Sequence, residues 1–180
     1  MKKIILVAVV ALIFISPSGA RAGGIVMEYQ NLVAVLSGYH NIPEAQYWAR
    51  LEPESTRASL IKMANDSEVF TVIRARALFA LEYYKNDEVS RLIRDVAKSD
   101  SIPYMRSSAY GALVRSEGVR ALDAFRDGLG DKDTMVRLSA ARSLRQVGGA
   151  RARAILERAS LAEKNSTVKS VFEKSLKEMR

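Results

Sequence analysis

The chain has 180 residues, with 28 Lys and Arg against 20 Asp and Glu for a net charge of +8, one His and no Cys. One His excludes a histidine-based metal cluster, and the lack of Cys excludes a lipid-modified cysteine anchor. A basic balance favours acidic partners or anionic surfaces and says little about fold.

The first residues run in the order of a secretory signal peptide. Lys2 and Lys3 form a basic start, Ile4 to Ile15 is an uncharged apolar run, and Pro17 and Gly19 follow. Ala20-Arg21-Ala22 ahead of Gly23 then gives an A-x-A cleavage site. A spanning helix needs about 20 apolar residues, more than this run supplies. The expectation is a cleaved signal over 1–22 and a periplasmic protein, with secretion to the medium as the alternative. Cleavage removes Lys2, Lys3 and Arg21 and no acid, so the charge falls from +8 to +5. No later segment resembles a membrane span, and the absence of Cys suits an oxidising compartment.

Residues 23–55 read as an N-terminal helical cap. Ile25 to Leu36 forms one amphipathic helix, Glu44 to Leu51 a shorter one after Pro43, and Pro53 closes the segment. Residues 56–180 then divide into four similar units, about 56–87, 88–118, 119–149 and 150–180. Each begins with an amphipathic stretch: Thr56 to Asn65, Glu88 to Ser99, Val119 to Leu129 and Ala150 to Ala162. Asp66-Ser67, Ser101, Asp133 and Ser166 are the expected N-caps of the second helices. Asn86, Gly118 and Gly148-Gly149 mark where those second helices end.

The second helices carry the clearest signal. Arg74, Arg106, Arg137 and Lys169 are separated by 32, 31 and 32 residues, and each follows an apolar residue. Small residues stand three later in the first three copies and six later in all four, and Leu stands seven later in all four. An acid precedes each basic residue by six positions: Glu68, Asp100, Asp131 and Glu163. Offsets −1, +3, +6 and +7 share one side of a helix, so small residues admit a neighbouring helix while branched ones fill the seam. One hairpin cannot bury such a face, but four stacked in a row can. The expected fold is all-α, a right-handed α-solenoid of about four helical hairpins.

The run Asp131 to Gly148 resembles the phycobilisome-lyase type of HEAT repeat, with an acid, then Val136-Arg137, Ala140-Ala141, Leu144 and Gly148. The resemblance covers roughly Thr56 to Arg180 and is weakest in the fourth repeat, where Lys169 replaces Arg and Phe172 replaces Ala. It implies a protein-binding scaffold in most members and attachment of bilins to light-harvesting proteins in a minority. The repeat carries the fold and does not choose between these roles.

The basic ladder admits two readings. It is a stripe for an anionic ligand, or each rung pairs with the acid six before it or with a neighbouring repeat's acid. The second suits guanidinium–carboxylate geometry better. Catalysis finds little support, and no cofactor is implied. His40 sits in the loop-like Ser37-Gly38-Tyr39-His40-Asn41, and Ser59 to Lys62 and Ser166 to Lys169 match only the loose S-x-x-K pattern. Nucleic acid would suit the charge, but export argues against meeting it, and the basic residues alternate with acids along each helix. Binding of another protein of the cell envelope is therefore the leading expectation. Stepping along the non-core side of the second helices gives Arg76, Phe79, Tyr83, Arg115, Arg142 and Arg145 as candidate contacts. Tyr39, Tyr47 and Trp48 add an aromatic patch near the cap. The plainer reading makes Phe79 and Trp48 core residues and the arginines solvated. A lyase or chaperone for a tetrapyrrole-bearing protein, and a binder of anionic envelope polymer or lipid, are the rival readings.

Overall fold

A computed structural model describes residues 24–38 and 43–179. The expected signal segment, Tyr39 and His40 lie outside the described residues. Within them the fold is an all-α solenoid. Its helices are α1 (Tyr29–Ser37), α2 (Ala45–Trp48), α3 (Pro53–Asn65), α4 (Thr71–Ala80), α5 (Asp87–Ser99), α6 (Pro103–Ser116), α7 (Leu122–Gly128), α8 (Thr134–Val147), α9 (Gly149–Ala162) and α10 (Ser166–Glu178). Short 3-10 turns, Leu81–Tyr83 and Gly118–Ala121, follow α4 and precede α7.

Four hairpins, α3–α4, α5–α6, α7–α8 and α9–α10, stack side by side. The second helices form a continuous layer, α4 against α6, α6 against α8 and α8 against α10. Their shared seam comes from the repeated small and branched residues. Ile73, Met105, Val136 and Val168 are buried one position before the basic residue. Ala77, Ala109, Ala140 and Phe172 are fully buried at the third position after it. Ala80, Ala112, Ser143 and Ser175 at the sixth and Leu81, Leu113 and Leu144 at the seventh are buried as well, while Leu176 is partly buried against the core. Close approach explains Gly128. A Cβ there would lie 2.5 Å from Tyr110 Cζ and 2.9 Å from Ala140 Cβ, so any side chain would push α7 off α6 and α8.

Some helix ends differ from the sequence expectation, for local reasons. Asp133 caps α8 as expected, accepting from the Met135 and Val136 N–H groups. The α10 cap is Asn165 rather than Ser166, and Ile102 and Phe70 stand at the cap positions of α6 and α4 in place of Ser101 and Asp66-Ser67. Asp66 and Asp100 are used earlier, each accepting from the N–H two residues ahead and so folding the approach to the helix. Asn86 caps the start of α5, bonding Val89 N–H, instead of ending the preceding helix. Gly118 and Gly148 do end second helices, at φ +57° and +66°, where a side chain would be strained. The third repeat's first helix is much shorter than the expected Val119 to Leu129, because the 3-10 turn replaces its opening.

The cap is less helical than expected. Ile25 lies outside α1 and pairs with the chain before α3, its N–H donating to Arg50 O at 2.7 Å and its carbonyl accepting from Glu52 N–H at 2.9 Å. The second cap helix is only α2, Ala45–Trp48. Pro53 does not separate the cap from the repeats; it opens α3, with the Glu52 carboxylate capping the Glu54 and Ser55 N–H groups. Trp48 is buried, stacked on Tyr83 and edge-on to Tyr47 and Tyr84, with Nε1 donating to Pro43 O at 2.7 Å. Tyr84 hydroxyl returns a bond to Trp48 O at 2.9 Å, and burial pushes that phenol up to about 12.

Candidate functional site

The basic residues of the repeat occupy one register. Arg74, Arg106, Arg137 and Lys169 are each the fourth residue of their helix, in α4, α6, α8 and α10. The first three reach forward to the acid of the following repeat. Arg74 Nη2 lies 3.0 Å from Asp100 Oδ2, Arg106 holds both oxygens of Asp131, and Arg137 Nε lies 2.8 Å from Glu163 Oε2. The acid six positions earlier is engaged through its backbone. Arg106 Nη1 donates to Asp100 O at 2.8 Å and Arg137 Nη1 to Asp131 O at 2.9 Å. Each acid also folds its own loop, since Asp100, Asp131 and Glu163 accept from the N–H of Ile102, Asp133 and Asn165. Asp100 and Asp131 are thus three-way nodes joining one repeat's loop to two arginines. Burial disfavours charge on Asp131 and Glu163, but the guanidinium beside each and the N–H groups of its own loop outweigh it, so both carboxyls sit below their ordinary range.

Two members of the expected ladder stand outside it. Glu68 is exposed, and the loop-folding role falls to Asp66, because the α3–α4 connection carries two extra residues between that turn and the helix. Arg74 accordingly donates to Ala64 O at 3.0 Å in place of a carbonyl six residues back. Lys169 is half-buried and has no carboxylate within ion-pair distance among the described residues.

Five of the six candidate contact residues lie on the second helices and Tyr83 in the 3-10 turn after α4, and most are already engaged. Arg76 Nη1 donates to Leu36 O and Gly38 O, both at 2.7 Å, closing the end of α1. Arg115 lies 5.4 Å above the Phe79 ring and pairs with Glu82 at 2.9 Å. Tyr83 packs on Trp48, and Arg145 pairs with Glu178 at 2.8 Å. Arg142 is exposed with no ion-pair partner among the described residues. Between them the face has a low floor. Gly111 leaves room for the Phe79 ring, and Ser107 and Ser139 share a hydroxyl bond of 2.5 Å.

Sequence reasoning missed the apolar side of this face. Val72, Tyr104 and Met135 each stand two positions before the basic residue, and they are 44%, 44% and 43% exposed. Phe70, two residues before Val72, is 79% exposed. The shared offset was the available signal, but three different residue types hid it. Offsets −2, +2, +5 and +9 follow one another up the same helix side, so this row continues into Arg76, Phe79, Arg115 and Arg142.

Among the described residues no three His, Cys, Asp or Glu converge on a metal position, and no helix is long and apolar enough to cross a membrane. Lys62 lies 4.9 Å over the Tyr29 ring, tying the end of α3 to α1 rather than serving Ser59.

No curated protein matches the chain. The family model described as HEAT repeats matches residues 57–134 and 119–177, which together take in all four hairpins. The chain belongs to the HEAT-repeat family.

Proposed function

We propose that the chain is an exported, non-catalytic HEAT-repeat scaffold that presents the outward face of α4, α6 and α8 to another protein of the cell envelope. HEAT repeats are commonly protein-interaction scaffolds. The observation that carries the reading is the row of Val72, Tyr104 and Met135, exposed at the same register in three successive repeats. Exposed apolar and aromatic residues beside arginine are what a partner-binding patch requires. Export rests on the basic, apolar and small-residue order of 1–22.

The likeness of Asp131 to Gly148 to phycobilisome-lyase repeats supports the fold more than any bilin chemistry. Its residues are spent on structure: Asp131 and Arg137 on the ladder, Val136, Ala140, Ala141 and Leu144 on the core, Gly148 on the turn.

Photo-crosslinking of the full chain in its own cells tests the proposal. A crosslinker at Tyr104 or Met135 is expected to trap one discrete protein in the envelope fraction, and one at exposed Lys98 to trap none. Accumulation of the chain in the cytoplasm, or equal labelling from Lys98, would overturn it.

A further inference from the structure

The first-helix side of the solenoid holds a separate groove, between α7 and α9. It is open to solvent, measures about 370 Å³ and is lined by Leu122, Asp123, Arg126, Arg151, Ile155 and Arg158. The two helices that flank it differ in length. Seven residues at about 1.5 Å each run only half the length of the fourteen-residue α9. α7 therefore covers only part of the facing side of α9, and its Leu122, Asp123 and Arg126 form the opposite wall of the groove. The α9 residues there repeat at helical spacing, Arg151, Ile155 with Ala154, and then Arg158.

The charges around the groove do not cancel. Asp123 is already engaged by Arg94 at 3.0 Å, and that contact helps hold its carboxyl below the ordinary range. Arg126 leans on exposed Asp127. Arg151 and Arg158 are exposed and have no carboxylate within ion-pair distance among the described residues; on the same helix Arg153 does pair, with Glu157. The result is an apolar strip edged by two uncommitted guanidinium groups. A phosphate alone would use the arginines and leave the apolar surface of Leu122 and Ile155 idle. A chain that alternates carboxylates with apolar side chains uses both, since each arginine fork matches a carboxylate and the strip takes the side chain between them.

We propose that the α7–α9 groove binds an acidic, apolar-containing segment of a protein partner, with Arg151 and Arg158 as its carboxylate contacts. This deepens the scaffold reading by adding a second surface with its own partner chemistry. It is tested on the purified full chain, without export or the α4–α6–α8 face, so either surface can fail alone.

The test is fluorescence anisotropy with a labelled short peptide alternating Glu and Leu, beside its Gln-for-Glu counterpart and vesicles containing phosphatidylglycerol. The Glu peptide is expected to bind and the Gln peptide to bind at least about tenfold more weakly. Arg151→Gln with Arg158→Gln is expected to weaken Glu-peptide binding about tenfold, and Lys174→Gln with Lys177→Gln, both exposed on α10, to leave it unchanged. Circular dichroism checks that both double variants keep their helix content. Equal affinity for the two peptides, an equal loss in both double variants, or retention by vesicles without peptide binding would each overturn the proposal.

Discussion

Arg106 and Asp131 meet end-on across 25 residues of chain, Nε to Oδ2 and Nη2 to Oδ1, each at 2.8 Å. Both side chains are almost out of solvent, and the same guanidinium also holds the Asp100 carbonyl. Replacing Arg106 by Met therefore strands a buried carboxylate and frees a loop together. The expected loss is about 3 kcal/mol, read as a lower urea midpoint and a Tm fall on the order of 10 °C. Lys169→Met, at the matching position without an acid partner, is expected to change stability by less than about 0.5 kcal/mol. Equal losses in the two variants would mean that the ladder does not hold the repeats together.

Acid should loosen the same joints. Asp131 and Glu163 have folded-state pKa values below their unfolded ones, so their contribution is complete above the unfolded carboxylate range of about 4. It is lost as pH falls through the lower folded values. Thermal melts are expected to be flat between about pH 7 and pH 5 and to drop below about pH 4. Asp131→Asn, which cannot carry that charge, should start less stable and show a shallower acid slope.

Gly128 and Gly111 look alike in sequence, each within or ending a helix, yet they should respond differently to Ala. At Gly128 the added carbon meets Tyr110 at 2.5 Å and Ala140 at 2.9 Å, in a packed seam. The expected cost is about 1–3 kcal/mol. At Gly111 it meets only the partly buried Phe79 ring, at 3.0 Å, a contact with the far end of a side chain rather than with a second packed helix. Chemical denaturation of the two variants should separate them clearly, with Gly111→Ala close to the parent.

Trp48→Ala should detach the cap from the first hairpin. The indole fills the space between Tyr47, Tyr83 and Tyr84, and its removal is expected to cost about 3–5 kcal/mol. A second readout follows from burial. The Tyr84 phenol, now near 12, should titrate closer to its ordinary value of about 10, visible as an earlier tyrosinate absorbance step. An unchanged titration would show that Tyr84 is held by the repeats alone.

The second helices were legible because their pattern and their burial have one cause. Ala77, Ala109 and Ala140 are small where helices touch, and Leu81, Leu113 and Leu144 are large where the seam is open. The direction of the ladder was not legible. An acid six residues before each arginine is equally consistent with a contact inside one repeat, and only the stacked coordinates place Asp131 beside Arg106. Glu68 misled because one loop is two residues longer, which moves the turn to Asp66. The cap was over-read as helix, since apolar spacing over Ile25 to Leu36 cannot reveal that Ile25 bonds the backbone around Leu51. The shortness of α7 was hidden too, since the 3-10 turn Gly118–Ala121 replaces its opening and no residue of α9 reports that.

The forward reach of the arginines makes the units interchangeable. Arg74 spans 26 residues to Asp100, and splicing Ser99 directly onto Asp131 would leave Arg74 the same distance from Asp131. The shortened molecule would keep a matched handclasp at the scar, with Arg137 still facing Glu163. Duplication or excision in whole periods is thus a gentle edit for this chain, whereas a cut of any other length leaves a guanidinium grasping at nothing.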